Sequence, residues 1–148
     1  MPYTKVCLHY VWSTKDREQI LSKPLRNLLF DHIRKNAIEK KIHIDRLNGY
    51  TDHVHCLVWL KPTQTISGII KLLKGESAYW FNRRAGVQNA KLEWQDEYFV
   101  VSVSESIVPK VRMYIDNQEI HHQKKTFMEE HKEFMDKYKF KDDEHSGD

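Results

Sequence analysis

Apolar positions along this chain follow two periods, and the places where one gives way to the other mark its elements. Over residues 5–13, Val6, Cys7, Leu8, Tyr10, Val11 and Trp12 form a nearly continuous apolar run, the pattern of a strand covered on both faces. Ser22 and Pro24 signal a helix start, after which Leu25, Leu28, Leu29, Ile33 and Ala37 recur at helical spacing. Residues 42–50 read as a second strand ending at a connection that contains Gly49, and His53–Leu60 as a third, stopped by Pro62. The helical period returns near Thr65 with Ile66, Ile69, Ile70, Leu73, Ser77, Trp80 and Phe81. A loop over 86–92 leads to a fourth strand at 98–104, where Val101 and Val103 alternate with Val100 and Ser102.

Two helices close the chain. The first is expected over 107–124. The second opens at Thr126-Phe127-Met128-Glu129, a capping-box spacing, and carries Phe127, Phe134 and Tyr138. The order βαββαβ followed by helices predicts an α+β fold of the ferredoxin-like, split βαβ kind. In that topology strands one and three are the central pair, and here they are the two most apolar. A single domain over 1–138 with a polar, fraying tail at 139–148 follows.

Composition narrows this only a little. A chain of 148 residues can bury one real core, and 40% hydrophobic with 30% charged residues is ordinary for a globular protein. No apolar run is long enough to span a membrane, and the opening residues lack a basic and apolar leader pattern, so a cytoplasmic protein is expected. Cys7 and Cys56 sit singly in apolar runs and read as buried thiols. With 24 Lys+Arg against 21 Asp+Glu the net charge is +3, so binding to a polyanion needs local clustering of basic residues.

Candidate chemistry starts at His53-Val54-His55. Alternation along a strand projects both imidazoles from one face, half of a metal site; the competing reading is a packed, hydrogen-bonded pair. Asp52 precedes them, either orienting a ligand histidine or capping a turn. Further along, Tyr114 and Gln118 lie four apart and share a helix face, so that an amide oxygen and a phenol sit one turn from each other. His121 and His122 follow about one turn later and, in so polar a helix, are expected to be solvated.

These residues resemble a known family. His53-Val54-His55 is an HUH motif, and Tyr114 followed by Gln118 is similar to the nucleophile helix of single-tyrosine HUH transposases of the insertion-sequence-200 kind. The likeness continues through Tyr10-Val11-Trp12-Ser13-Thr14-Lys15-Asp16-Arg17, Asp52 to Val58, Leu72 to Ser77, Trp94-Gln95, Tyr98 to Val103 and Tyr114 to His122. It spans residues 5 to about 138. Relaxases use a three-histidine cluster, and no third histidine follows in this strand. Rolling-circle initiators carry a Lys or second Tyr where this chain has Gln118. REP-associated transposases are closer kin, although the strand at 98–104 is more similar to the insertion-sequence branch.

The resemblance implies an enzyme that cuts and rejoins single-stranded DNA at mobile-element ends bearing hairpins. Tyr114 would form a 5′-phosphotyrosine and release a 3′-OH, which preserves the bond energy and removes any need for a nucleotide cofactor. His53, His55 and Gln118 would hold a divalent Mg²⁺ or Mn²⁺, which offsets the reluctance of a phenol of pKa about 10 to act at neutral pH. It also implies a homodimer in which each tyrosine helix completes the partner's site. An apolar stripe of Val108, Val111 and Ile115 on that helix, needing a surface to cover it, points the same way. DNA contacts are expected from Lys71, Lys74 and Arg83 on the second helix, beside Ser67, Ala78, Asn82 and Arg84, and from Lys15 and Arg17 after the first strand. Gly75 in that helix suggests a close backbone approach. Two rivals are a host-adopted hairpin-binding protein of the same fold and a zinc hydrolase. The second would need another carboxylate or histidine on the His53/His55 face.

Overall fold

A computed structural model describes residues 2–84, 91–122 and 126–138, without the side chains of 127, 134 and 138. Most of the expected 86–92 loop, the end of the helix expected at 107–124, the Phe127/Phe134/Tyr138 stripe and the 139–148 tail therefore lie outside the described residues.

Four antiparallel strands, β1 (Val6–Ser13), β2 (His43–Gly49), β3 (His53–Leu60) and β4 (Phe99–Val103), pair in the order β2-β3-β1-β4. The two most apolar strands are indeed the central pair, since only a central strand is covered by neighbours on both edges and by helices on both faces. Helices α1 (Lys23–Glu39) and α2 (Ile66–Arg83) cross one face of the sheet. Leu8, Tyr10 and Trp12 of β1 and Val54, Cys56 and Val58 of β3 meet Leu29, Phe30, Ile33, Ile69, Ile70, Leu73 and Phe81 there. Thr65 caps α2, its hydroxyl accepting from Gly68 N–H at 3.0 Å. The Tyr10 hydroxyl donates to the Ile66 carbonyl at 2.8 Å, tying that helix end to the sheet. Leu28 and Ile66, read as core positions from their spacing, are 45% and 43% exposed because they fall on the outer edges of their helices.

One glycine is demanded by the hairpin between β2 and β3. A Cβ on Gly49 would lie 2.2 Å from the His53 carbonyl oxygen, so only glycine allows the turn that presents His53. Gly75 is different: apart from its own stretch of helix, no described protein atom comes within 4 Å of where its Cβ would be, so no other described element makes the close approach expected there.

The other sheet face is covered by the C-terminal segment. The helix expected over 107–124 is broken. A 3-10 turn (Glu105–Ile107) leads into α3 (Val108–Asp116), and α4 (Gln118–His122) follows after Asn117. The break has a tertiary cause. Asn48 of β2 donates its side-chain amide to the Ile115 carbonyl at 2.8 Å and to that of Asp116 at 3.3 Å, capping carbonyls at the end of α3. A bulge between Ile44 and Arg46 frees Asp45 from the ladder, and Arg112 of α3 clamps it with two hydrogen bonds of 2.8 and 2.7 Å. The same carboxylate accepts from Trp59 Nε1 at 2.9 Å. The Arg112 bond, against the cost of burial and with help from Trp59, holds Asp45 below the ordinary carboxylate range. Val108 and Ile115 are buried on Cys7 and Leu57, with Val111, Trp59 and Val103 packed around them. The chain's own sheet therefore covers the stripe whose exposure had suggested a partner. Finally α5 (Phe127–Tyr138) starts with Thr126 Oγ1 accepting from Glu129 N–H at 3.2 Å.

Candidate metal and nucleophile site

Period-2 alternation sends His53, His55 and Leu57 of β3, with Cys7 and His9 of β1, to the face opposite the α1/α2 core. His53 and His55 are completely buried and His9 is 3% exposed. The two β3 imidazoles are held alike. His53 Nδ1 is 2.7 Å from Asp52 Oδ1, and His55 Nδ1 is 2.9 Å from His9 Nε2. A ligating Nε2 requires the proton on Nδ1; in that tautomer Nδ1–H of His53 donates to Asp52 and Nδ1–H of His55 donates to His9, fixing both rings. Both Nε2 atoms then face the same space.

That space is closed by two other elements. Gln118, fully buried at the start of α4, places Oε1 3.1 Å from His53 Nε2, and its amide donates to the Tyr114 carbonyl at 3.3 Å. Glu130, 4% exposed on α5, places Oε1 2.8 Å from His55 Nε2 and 3.7 Å from His53 Nε2. Burial pushes the His55 imidazole down to about 4 against the opposing pull of Glu130, so it is neutral with a lone pair to give at pH 7. Burial and then the neighbouring His55 also hold His9 well below the ordinary imidazole value. Burial alone would raise the Glu130 carboxyl, but His122, His55 and His53 together hold it well below its usual value. A buried carboxylate beside two imidazoles is the donor set of a divalent-cation site, and His53, His55 and Glu130 converge closely enough to share one ion. The residues fit a metal.

Tyr114 lies beside this centre, its ring 5.5 Å from that of His55 and 5.3 Å from that of His121. Burial first, and then the charge of Glu130, push its phenol above the ordinary value. The structure thus gathers His53, His55, Asp52, Gln118 and Tyr114, which the sequence singled out, and adds His9 and Glu130, which it did not. His9 looked like one more member of an apolar strand, although its parity with His53 and His55 across the β1–β3 register was a usable signal. Glu130 carried none, sitting among first-turn acidic residues of α5 as helix-dipole partners do. The expectation that His121 and His122 are solvated is corrected. Their side chains are 24% and 2% exposed, because α4 turns them in toward Glu130 once α3 has ended.

The basic candidates for DNA contact are dispersed. Lys15 and Arg17 follow the end of β1, where Thr14 N–H donates to the Asp52 carbonyl at 2.8 Å, so they stand at the His53 end of the sheet. Lys15 lies 3.5 Å from Glu93. Lys71 is exposed on α2. Lys74 is turned inward, donating to the carbonyls of Gln95 at 2.6 Å and Asp96 at 3.2 Å, and burial lowers its ammonium pKa. The Arg83 guanidinium rests 4.2 Å over the Tyr79 ring.

The family model for IS200-like transposases matches residues 2–118, which include both β3 histidines, Tyr114 and Gln118. The chain belongs to the IS200-like transposase family. It is 30% identical over 118 residues to the ISDra2 transposase TnpA of Deinococcus radiodurans, covering 74% of this chain and 81% of that protein. The transposase for insertion sequence element IS200 of Salmonella typhimurium is 26% identical over 114 residues, covering 74% of each. Among solved structures, a Deinococcus radiodurans transposase superposes with a TM-score of 0.64 at 30% identity, covering 79% of this chain and 93% of that one. A REP-associated tyrosine transposase bound to a REP hairpin shares the fold, with a TM-score of 0.60 at 15% identity over 82% of this chain and 72% of that one. This IS200-like chain thus has the ferredoxin-like α+β architecture of tyrosine transposases. Among its described residues, no helix is long and apolar enough to cross a membrane.

Proposed function

We propose that this transposase cleaves and rejoins single-stranded DNA at mobile-element ends through a 5′-phosphotyrosine on Tyr114. The observation that carries the reading is the convergence of Tyr114 on a buried His53/His55 pair whose Nδ1 atoms are occupied and whose Nε2 atoms face one space. The Tyr114 oxygen attacks the scissile phosphorus; the P–O3′ bond breaks, and the 3′ oxygen leaves as a hydroxyl. The reverse attack by a 3′-OH rejoins strands and frees the phenol.

His53, His55 and Gln118 would hold Mg²⁺ or Mn²⁺, with Glu130 as a further ligand. When bound, the ion polarises the phosphate and neutralises developing charge. Asp52 and His9 keep the imidazoles aimed. The buried walls of β3, α4 and α5 limit water, which protects the ester from hydrolysis. The substrate is a single strand carrying a hairpin, a reading supported by the family and by the hairpin in the REP-associated neighbour. Lys71, Arg83, Lys15 and Arg17 are the proposed phosphate contacts, with Lys74 contributing once released from its carbonyls.

The deciding experiment incubates a labelled hairpin-bearing single strand with Mn²⁺ or Mg²⁺ and looks for an SDS-resistant protein adduct. Tyr114→Phe should abolish the adduct while hairpin binding stays within a few-fold. Normal cleavage by that variant would sink the assignment. The family likeness also supports a twofold dimer in which a partner's tyrosine helix takes the place that the chain's own α3 occupies on this sheet. Mixing Tyr114→Phe with His53→Ala subunits should then restore cleavage, because one hybrid site is intact; heterodimers that form but stay inactive refute the exchange.

A further inference from the structure

The two oxygens of Glu130 face different histidine pairs. Oε1 approaches the Nε2 atoms of His55 and His53 at 2.8 and 3.7 Å. Oε2 lies 2.9 Å from Nε2 of His121 and 2.9 Å from Nε2 of His122, a pair from α4 with no part in the reading above. The Glu130 side chain is 5% exposed, so water cannot substitute for protein partners. Among the described residues, Oε2 meets these two nitrogens as close ionic approaches outside the angles of an ordinary hydrogen bond. A buried carboxylate oxygen set between two ring nitrogens is completed either by protons on the rings or by a shared ion. A cation does so, because it takes lone pairs from oxygen and nitrogen together. The ligand atoms of His121, His122 and Glu130 lie within 4.8 Å of one another, as those of His53, His55 and Glu130 do.

We propose that His121, His122 and Glu130 form a second cation site, with Glu130 bridging it to the His53/His55 site through its other oxygen. Two imidazoles and one carboxylate leave a position open and suit Mn²⁺, Co²⁺ or Zn²⁺ better than Mg²⁺. A carboxylate that gives one oxygen to each ion holds them roughly 4 Å apart, the spacing of two-metal phosphoryl-transfer centres. The His121 ring is 5.3 Å from that of Tyr114, so the second ion stands on the nucleophile's side. The proposal rests on the strand-site reading only through the shared Glu130.

Titration of the full chain with Co²⁺, followed by visible absorption and calorimetry, tests it. Two equivalents per chain are expected. His121→Ala or His122→Ala should leave one, and His53→Ala should remove the other while sparing the α4 ion. Glu130→Gln should weaken both by at least tenfold, a shared loss that separate sites would not show. One equivalent, lost with His53→Ala and indifferent to His122→Ala, overturns the second site and leaves the strand site standing. One equivalent with the opposite dependence overturns the bridge and the strand site. His122→Gln keeps a neutral polar side chain in case the alanine variant fails to fold, and an unchanged thermal midpoint in chelator qualifies either variant.

Discussion

Neighbouring residues of β1 and β3 are equally buried yet build opposite kinds of interior. Tyr10, Trp12, Val54 and Cys56 face α1 and α2, where hydrocarbon meets hydrocarbon and any close packing serves. His9, His53 and His55 face α3, α4 and α5, where each ring is fixed through a named partner: Asp52 for His53, His9 for His55. Burial is the same on both sides of the sheet; the difference lies in what a single lost partner does. On the apolar face neighbours can relax into a gap, whereas on the polar face a missing partner leaves a buried nitrogen or carboxylate uncompensated.

Substitutions that trade chemistry against stability can break this contrast. The largest effect should come from His53→Ala, with cleavage reduced on the order of 10³-fold, the several kcal/mol a metal-supported site supplies. Its thermal midpoint in chelator should fall too, because Asp52 and Gln118 lose their buried partner, and a cleavage assay scaled to folded protein beside a melting curve separates the two losses. Trp12→Ala, on the other side of the same sheet, should cost about 3–5 kcal/mol of stability by urea unfolding. Cleavage per folded molecule should be unchanged. If the two variants behaved alike, the division between faces would be false.

A smaller effect sharpens the comparison. His9→Ala removes the acceptor that aims His55, and metal affinity should drop about 10–100-fold in a calorimetric titration, with the Tyr114 phenol untouched. The smallest effect is on pH dependence. The folded-state pKa of His55, about 4, lies below its unfolded value near 6.5. The unfolded chain therefore binds more protons between those values. The stability that follows is complete above pH 6.5 and is lost as pH falls toward 4. His9 shifts in the same direction and adds to the slope. In chelator, the melting temperature should decline across that window, and His55→Gln should flatten the decline.

The sequence was more legible on one face than on the other, for a physical reason. Hydrophobic periodicity reports repeated burial, so β1, β3, α1 and α2, and with them the sheet order, follow from spacing. The HUH pair was visible because both histidines lie two apart on one strand. Glu130 was not, since 75 residues separate it from His55 and no period links them. The break after Asp116 was equally hidden: no Gly or Pro marks it, and the cause is an amide on β2. That misread helix also misplaced His121 and His122, whose direction depends on where α3 stops.

The Asp45–Arg112 clamp and the Asn48 cap make α3 a separable part, fastened to the sheet mainly by polar contacts and a small apolar patch. Residues 104–107 are all that join it to β4. The five residue steps from Val103 to Val108, drawn out straight, reach about 18 Å at most. If the exchange proposed above takes place, that tether sets its range: the helix can land only on a sheet whose receiving end lies within it. Lengthening the tether with a few glycines would widen the choice of recipients, so the same few residues that position the tyrosine would also decide which neighbour can use it.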